Sequence, residues 1–105
     1  MKFGLTEKQQ DLINNATMEI PEIEEVVIFG SRAMGNYKKG SDVDIALFGK
    51  AVNRSIASKL SFVLNEELYL PYYFDVIAFN TINNEALREH IITFGEVFYH
   101  RRMTC

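Results

Sequence analysis

The chain is nearly free of cysteine, poor in histidine and without any excess of basic residues. Its single cysteine, Cys105, is the last of 105 residues. One thiol forms no internal disulfide, so Cys105 reads as an inert tail residue. Two histidines and one cysteine provide no cluster with the spacing of a zinc site. No apolar run approaches the roughly 20 residues that a membrane-crossing helix needs. The opening Met1-Lys2-Phe3-Gly4-Leu5-Thr6 lacks the apolar core of a signal peptide. A cytoplasmic location without membrane attachment is therefore expected. Lys and Arg number 11 against 14 Asp and Glu, a formal charge of -3. That balance argues against direct nucleic-acid binding through the whole surface and leaves room only for a local basic patch. Repeats, linkers and low-complexity tracts are also missing.

What is there is the composition of a folded protein: 48% hydrophobic residues, with eight Phe and five Tyr. At this length the chain is one domain, residues 1–105, able to bury about two thirds of its unfolded surface. Thr6-Glu7-Lys8-Gln9 has the form of a capping box. It opens a helix with Leu12, Ile13, Ala16 and Ile20 as its apolar stripe and Pro21 as its stop. Glu22, Glu24 and Glu25 read as a solvated turn. A second helix enters at Asn53-Arg54-Ser55, carries Ile56, Leu60, Val63, Leu64 and Leu68 at helical intervals, and is closed by Pro71. Asn83 or Asn84 caps a last helix with Leu87, Ile91 and Phe94 on one face and Gly95 as its stop. His90, among them, reads as a packed helix residue rather than a base or ligand. Val97-Phe98-Tyr99 forms a short edge strand or an extended tail, and Arg101 and Arg102 close the chain with exposed charge.

The rest is organised around residues 26–49. Val26, Val27, Ile28 and Phe29 are an unbroken β-prone run, the pattern of a strand covered on both faces. Gly30 and Ser31 end it. A glycine there permits a tight turn and a close ligand, while Ser31 offers a hydroxyl and free amides at a helix start attract anions. Asp42 and Asp44 lie two apart on the next strand and share a face, with Val43, Ile45 and Leu47 on the core side. Two carboxylates converging to about 5 Å repel by roughly 3 kcal/mol at an effective dielectric near 20, which calls for a cation between them. Mg²⁺ suits such oxygen ligands. In the loop between the strands, Arg32, Lys38 and Lys39 either hold phosphate oxygens or only meet water.

Tyr72 to Phe79 reads as a further strand, with Asp75 as the one charge inside it. A carboxylate buried in a strand costs several kcal/mol unless partnered. Either an ion pair with Arg54 or Arg88 satisfies Asp75, or its strand neighbours that of Asp42 and Asp44 and all three share a cation, the reading that desolvation favours. The expected fold is α/β (α+β): a small mixed sheet of about three or four strands flanked by about four helices. The Asp75 strand is parallel or antiparallel to its neighbour. Glycosidase-type hydrolysis needs one acid kept protonated in an apolar pocket, and a Ser-His-Asp triad needs a histidine near Ser31 or Ser41. Neither pattern is present.

Gly30-Ser31, ten intervening residues and Asp42-Val43-Asp44 resemble the G-S…D-x-D signature of the polymerase-β-type nucleotidyltransferase superfamily. At this length the whole chain is similar to the minimal nucleotidyltransferase (MNT) branch, whose members are often antitoxins encoded beside a HEPN-domain protein. The resemblance implies a nucleotidyltransferase core that moves AMP from ATP to a tyrosine hydroxyl of a partner HEPN toxin. It assigns Asp42, Asp44 and Asp75 to catalysis and to one or two Mg²⁺ ions, and Gly30, Ser31, Arg32 and Ser41 to the nucleotide. It also implies that the partner completes the site, because no further domain fits in this length. The alternative is a non-catalytic nucleotide-binding antitoxin that neutralises a HEPN ribonuclease by forming a complex.

Overall fold

Two buried strands occupy the middle of a four-stranded sheet, and their apolar runs explain why. All of Val26 to Phe29 is buried in β1 (Glu25–Phe29). In β2 (Val43–Phe48), Val43, Ile45, Ala46 and Leu47 are buried. The computed structural model describes residues 2–101; Met1 and residues 102–105, including Arg102 and Cys105, lie outside the described residues. Around the central pair come α1 (Glu7–Met18), α2 (Ser31–Met34), α3 (Arg54–Phe62), β3 (Phe74–Ala78), α4 (Glu85–Phe94) and β4 (Glu96–His100). The sheet order is β3-β2-β1-β4. β1 pairs antiparallel with β2 and β4, whereas β2 and β3 are parallel, so the sheet is mixed as expected. α3 is the crossover that parallel neighbours require.

Local signals act where the residues placed them. Gln9 N–H donates to Thr6 Oγ1 at 3.1 Å and Thr6 N–H to Gln9 Oε1 at 2.9 Å, a complete capping box. The Asn53 carboxamide oxygen accepts from Ile56 N–H at 2.9 Å, and that of Asn84 from Leu87 N–H at 3.0 Å. α1 ends at Met18, short of Pro21, so Ile20 joins the core from the turn. The expected stripe of α3 is interrupted: a π-helical turn, Val63–Glu67, breaks the phase, leaving Leu60 and Leu64 buried but Val63 and Leu68 half-buried. Phe94, expected on the core face of its helix, is 50% exposed. Arg101, expected as free charge, instead ties the tail down through Ile23, Met18 and Ile20 carbonyls.

The sheet is packed unequally on its two faces. On one, Ile13 of α1 and Leu60 of α3, with Leu64, join Ile28, Val43, Ile45 and Phe74 in the main core. The other has a thinner cluster, in which Val27, Phe29 and Ala46 meet Ile91 of α4 together with Phe79 and Ile82. Alternation puts Asp44 on this second face, between inward Val43 and Ile45. Well-covered strands thus hold a carboxylate on the less-covered side.

The π-helical turn has a specific consequence at β3. It aims the Asn65 carboxamide at the strand edge, where Asn65 Oδ1 accepts from Phe74 N–H at 2.8 Å and Asn65 Nδ2 donates to Phe74 O at 3.0 Å. Asn65 thus substitutes for a neighbouring strand at one residue. Asn65→Ala should destabilise the fold by about 1–3 kcal/mol, the cost of two backbone groups losing their partner, as read by urea denaturation.

Candidate active site

β1 must turn sharply at its end, and Gly30 makes the turn. Its φ of 74° and ψ of -153° lie in a region only glycine occupies easily. A Cβ built there would lie 2.5 Å from Asp44 Oδ2. The glycine is thus required twice, by its backbone and by the carboxylate pressed against it. The chain then enters the single turn of α2, which Gly35 ends in a left-handed cap at φ 83°. By helix geometry the first amides of that turn, beginning with Ser31, have no partner within it.

Asp42 is exposed just before β2, and Asp44 is half-buried within it. Asp75 is the direct register partner of Asp44 across the parallel pair, so the two side chains share a face on strands about 4.8 Å apart. The expectation that Asp75 is buried is corrected: it is exposed, because β3 is the sheet edge and α4 packs over β1. Desolvation therefore does not call for its partner. Arg88, a candidate for an ion pair, instead donates to Phe79 O and Ile82 O and stacks on the Phe79 ring. Partial burial pushes the Asp44 carboxyl above its ordinary 3.8, and the negative charges of Asp75 and Asp42 push it further. Arg32 and His90 act the other way.

Arg32 departs from its expected place in the phosphate loop. Its side chain is 3% exposed and its donors go to backbone carbonyls: Nε and Nη2 to Ser41 O at 3.1 and 2.7 Å, Nη1 to Phe3 O at 2.8 Å. Tyr37 and Tyr72 sandwich the guanidinium, at 5.0 and 4.6 Å from their ring centroids. Such a group is a tie that closes the loop against the N-terminal segment, its charge still felt at Asp44. The Ser41 hydroxyl is likewise engaged, accepting from Lys38 N–H at 2.9 Å. Lys38 and Lys39 are exposed. The aromatic pair on Arg32 left no trace in local spacing, since Tyr72 comes from 40 residues further along the chain than Arg32.

His90 is the residue that sequence reasoning set aside and the fold brings close. Its ring meets Phe29 edge-on, with centroids 6.2 Å apart, and lies 5.4 Å from the Phe94 ring. Leu87, His90, Ile91 and Phe94 share one helical face, a signal available from spacing alone. The imidazole borders the carboxylate group across the end of β1.

The donor set fits a hard divalent cation. Burial and then the negative charges of Asp75 and Asp42 raise the proton affinity of Asp44, and all the donors of the three residues are oxygens. Among the described residues no group of three acidic, histidine or cysteine side chains is placed to hold a metal ion by itself, so any cation here would take its remaining ligands from outside the chain. An open pair of carboxylates matches Mg²⁺, which keeps waters and takes substrate phosphates as its other ligands.

Two outcomes are expected. Because Asp44 holds its proton more tightly folded than unfolded, ionising it costs stability; the cost sets in as pH rises through 3.8 and is complete above the folded value. Asp44→Asn should therefore melt above the native chain at pH 7, and the gap should close in acid. Gly30→Ala should lose about 1–3 kcal/mol to backbone strain in denaturant titrations.

The sequence model for Polymerase beta, Nucleotidyltransferase matches residues 10–104. Among proteins of curated function no sequence matches the chain. Solved structures share the fold. A chain of a toxin–antitoxin crystallised with AMP-PNP superposes with TM-score 0.72 at 20% identity, covering 89% of this chain and 74% of that one. One from a MntA–HpeT toxin–antitoxin variant gives 0.69 at 17%, over 89% and 74%. One from the tri-AMPylated Shewanella oneidensis HEPN toxin in complex with its MNT antitoxin gives 0.59 at 19%, over 88% and 73%. With the glycine-serine turn facing paired aspartates, and with the family match spanning nearly all of its length, the chain belongs to the polymerase-β-type nucleotidyltransferase family.

Proposed function

We propose that the protein transfers AMP from ATP to a tyrosine hydroxyl of a partner HEPN-domain toxin and so acts as its antitoxin in the cytoplasm. The observation that carries this reading is the register of Asp44 with Asp75 beside the Gly30-Ser31 turn. The AMP-PNP-bound and AMPylated complexes that share the fold support ATP as donor and a protein as acceptor.

In this mechanism Asp42 and Asp44 would hold Mg²⁺, and Asp75 would complete a second position at the open edge. When bound, the metal offsets the triphosphate charge and lowers the proton affinity of the acceptor hydroxyl. Gly30 and Ser31 take the β- and γ-phosphates through backbone amides and the Ser31 hydroxyl, steadying the leaving pyrophosphate. Asp75, exposed at the edge strand, receives the proton as the acceptor oxygen attacks the α-phosphorus in line and the bond to pyrophosphate breaks. Arg32 positions the loop that carries Ser41 and Asp42, and His90 borders the site.

The test is incubation with Mg²⁺, α-labelled ATP and the HEPN-domain protein of the neighbouring gene. Label should appear on a partner tyrosine, and alanine at Asp42, Asp44 or Asp75 should slow it at least about 100-fold. A tight complex that never acquires label would favour neutralisation by occlusion.

A further inference from the structure

β3 is an edge strand with a groove beside it. Val43 N–H donates to Tyr73 O at 2.9 Å, which fixes the phase of the parallel ladder. Tyr73, Asp75 and Ile77 turn their peptide groups toward β2, while Phe74, Val76 and Ala78 turn theirs outward. The two ends of that outward row are already occupied. Asn65 takes both groups of Phe74, and Thr81 Oγ1 donates to Ala78 O at 2.8 Å. Between them stands Val76, its N–H and C=O turned outward by the phase of the ladder, and Val76 lines a groove of about 700 Å³ between β3 and α3. Phe62 and Tyr73, 56% and 58% exposed, provide its apolar lining.

We propose that this edge is the acceptor-docking site, where an extended segment of the partner protein pairs with Val76 and thereby presents its hydroxyl to Asp75. The inference rests on the transfer reading above. Side chains alternate along an added strand. A residue paired opposite Val76 drops into the α3 groove, and the next residue stands on the other face, opposite Asp75 and in line with Asp44. Among the described residues no group pairs with the Val76 N–H and C=O; such a donor and acceptor on one residue recognise peptide backbone, and only one residue pair needs to form. Charge sets the direction. Glu66 follows Asn65 at the Phe74 end of the groove, and Arg54 opens α3 at the far end. The segment therefore carries a basic residue toward Phe74 and an acidic one toward Ala78.

Val76→Pro removes the outward N–H and no ladder bond to β2, a substitution edge strands accept. Ser58→Trp, on the exposed face of α3, fills the groove without touching the sheet. Each variant is assayed for Mg·ATP binding and for labelling of the HEPN-domain partner, and amide exchange at Val76 is followed in the native chain with and without that partner. The expected result is labelling slowed at least tenfold through KM, nucleotide binding unchanged, and Val76 exchange slowed by the partner. Labelling at the native rate by both variants would overturn the docking site and leave transfer standing. If the native chain labels nothing yet the partner still slows exchange at Val76, the transfer reading fails and the docking site stands. Exchange unaffected by the partner, or slowed simply by raising the concentration of the chain alone, would overturn the proposal, the latter in favour of a second copy.

Discussion

The structure turns on like charges held side by side. Asp44 and Asp75 are register partners on parallel strands, with Asp42 just ahead of them and the Gly30 backbone pressed against one Asp44 oxygen. Left to itself the arrangement is unfavourable: burial first, and then the charges of Asp75 and Asp42, raise the proton affinity of Asp44. A fold keeps such a cluster only if something else holds the strands together. Here that is the main core on the opposite face, where Ile28, Val43, Ile45 and Phe74 pack under α1 and α3.

The two faces therefore divide the work. Burial of the main core supplies the driving force, at roughly 25 cal/mol per Å² of apolar surface. Among the described residues the second face is covered by α4 and a smaller cluster, which leaves the β2–β3 side to the carboxylates. Arg32 connects the two roles. Buried between two tyrosines and bonded to the carbonyls of Phe3 and Ser41, it fixes the loop leading into Asp42. It also supplies the nearest buried positive charge, enough to moderate Asp44 but not to neutralise three acids.

Much of this was legible in the residues because the decisive features are local. A β-prone run, a glycine-serine turn and two aspartates two apart can adopt few shapes, and the capping residues Thr6, Asn53 and Asn84 act within one helical turn. What was not legible depends on distant partners. Asp75 reached the expected neighbour for a different reason than expected: the parallel register, not burial, brings it to Asp44. The tyrosines that enclose Arg32 come from separate parts of the chain, so its basic character alone pointed to phosphate. The π-helical turn has no composition signature, yet it aims Asn65 at β3. His90 had a readable helical face, but its proximity to the carboxylates follows from the placement of α4 over β1.

The central claim is that the acids of two neighbouring strands share one electrostatic site. The direct measurement is a carbon-detected NMR titration of the aspartate carboxyls, without and then with Mg²⁺ and a non-hydrolysable ATP analogue. The account requires Asp44 to titrate above the ordinary aspartate range in the free protein and to fall well below it when metal and nucleotide are added, with the signals of Asp42 and Asp75 moving in concert. An Asp44 that titrates normally, or that ignores the added metal and nucleotide, would contradict it.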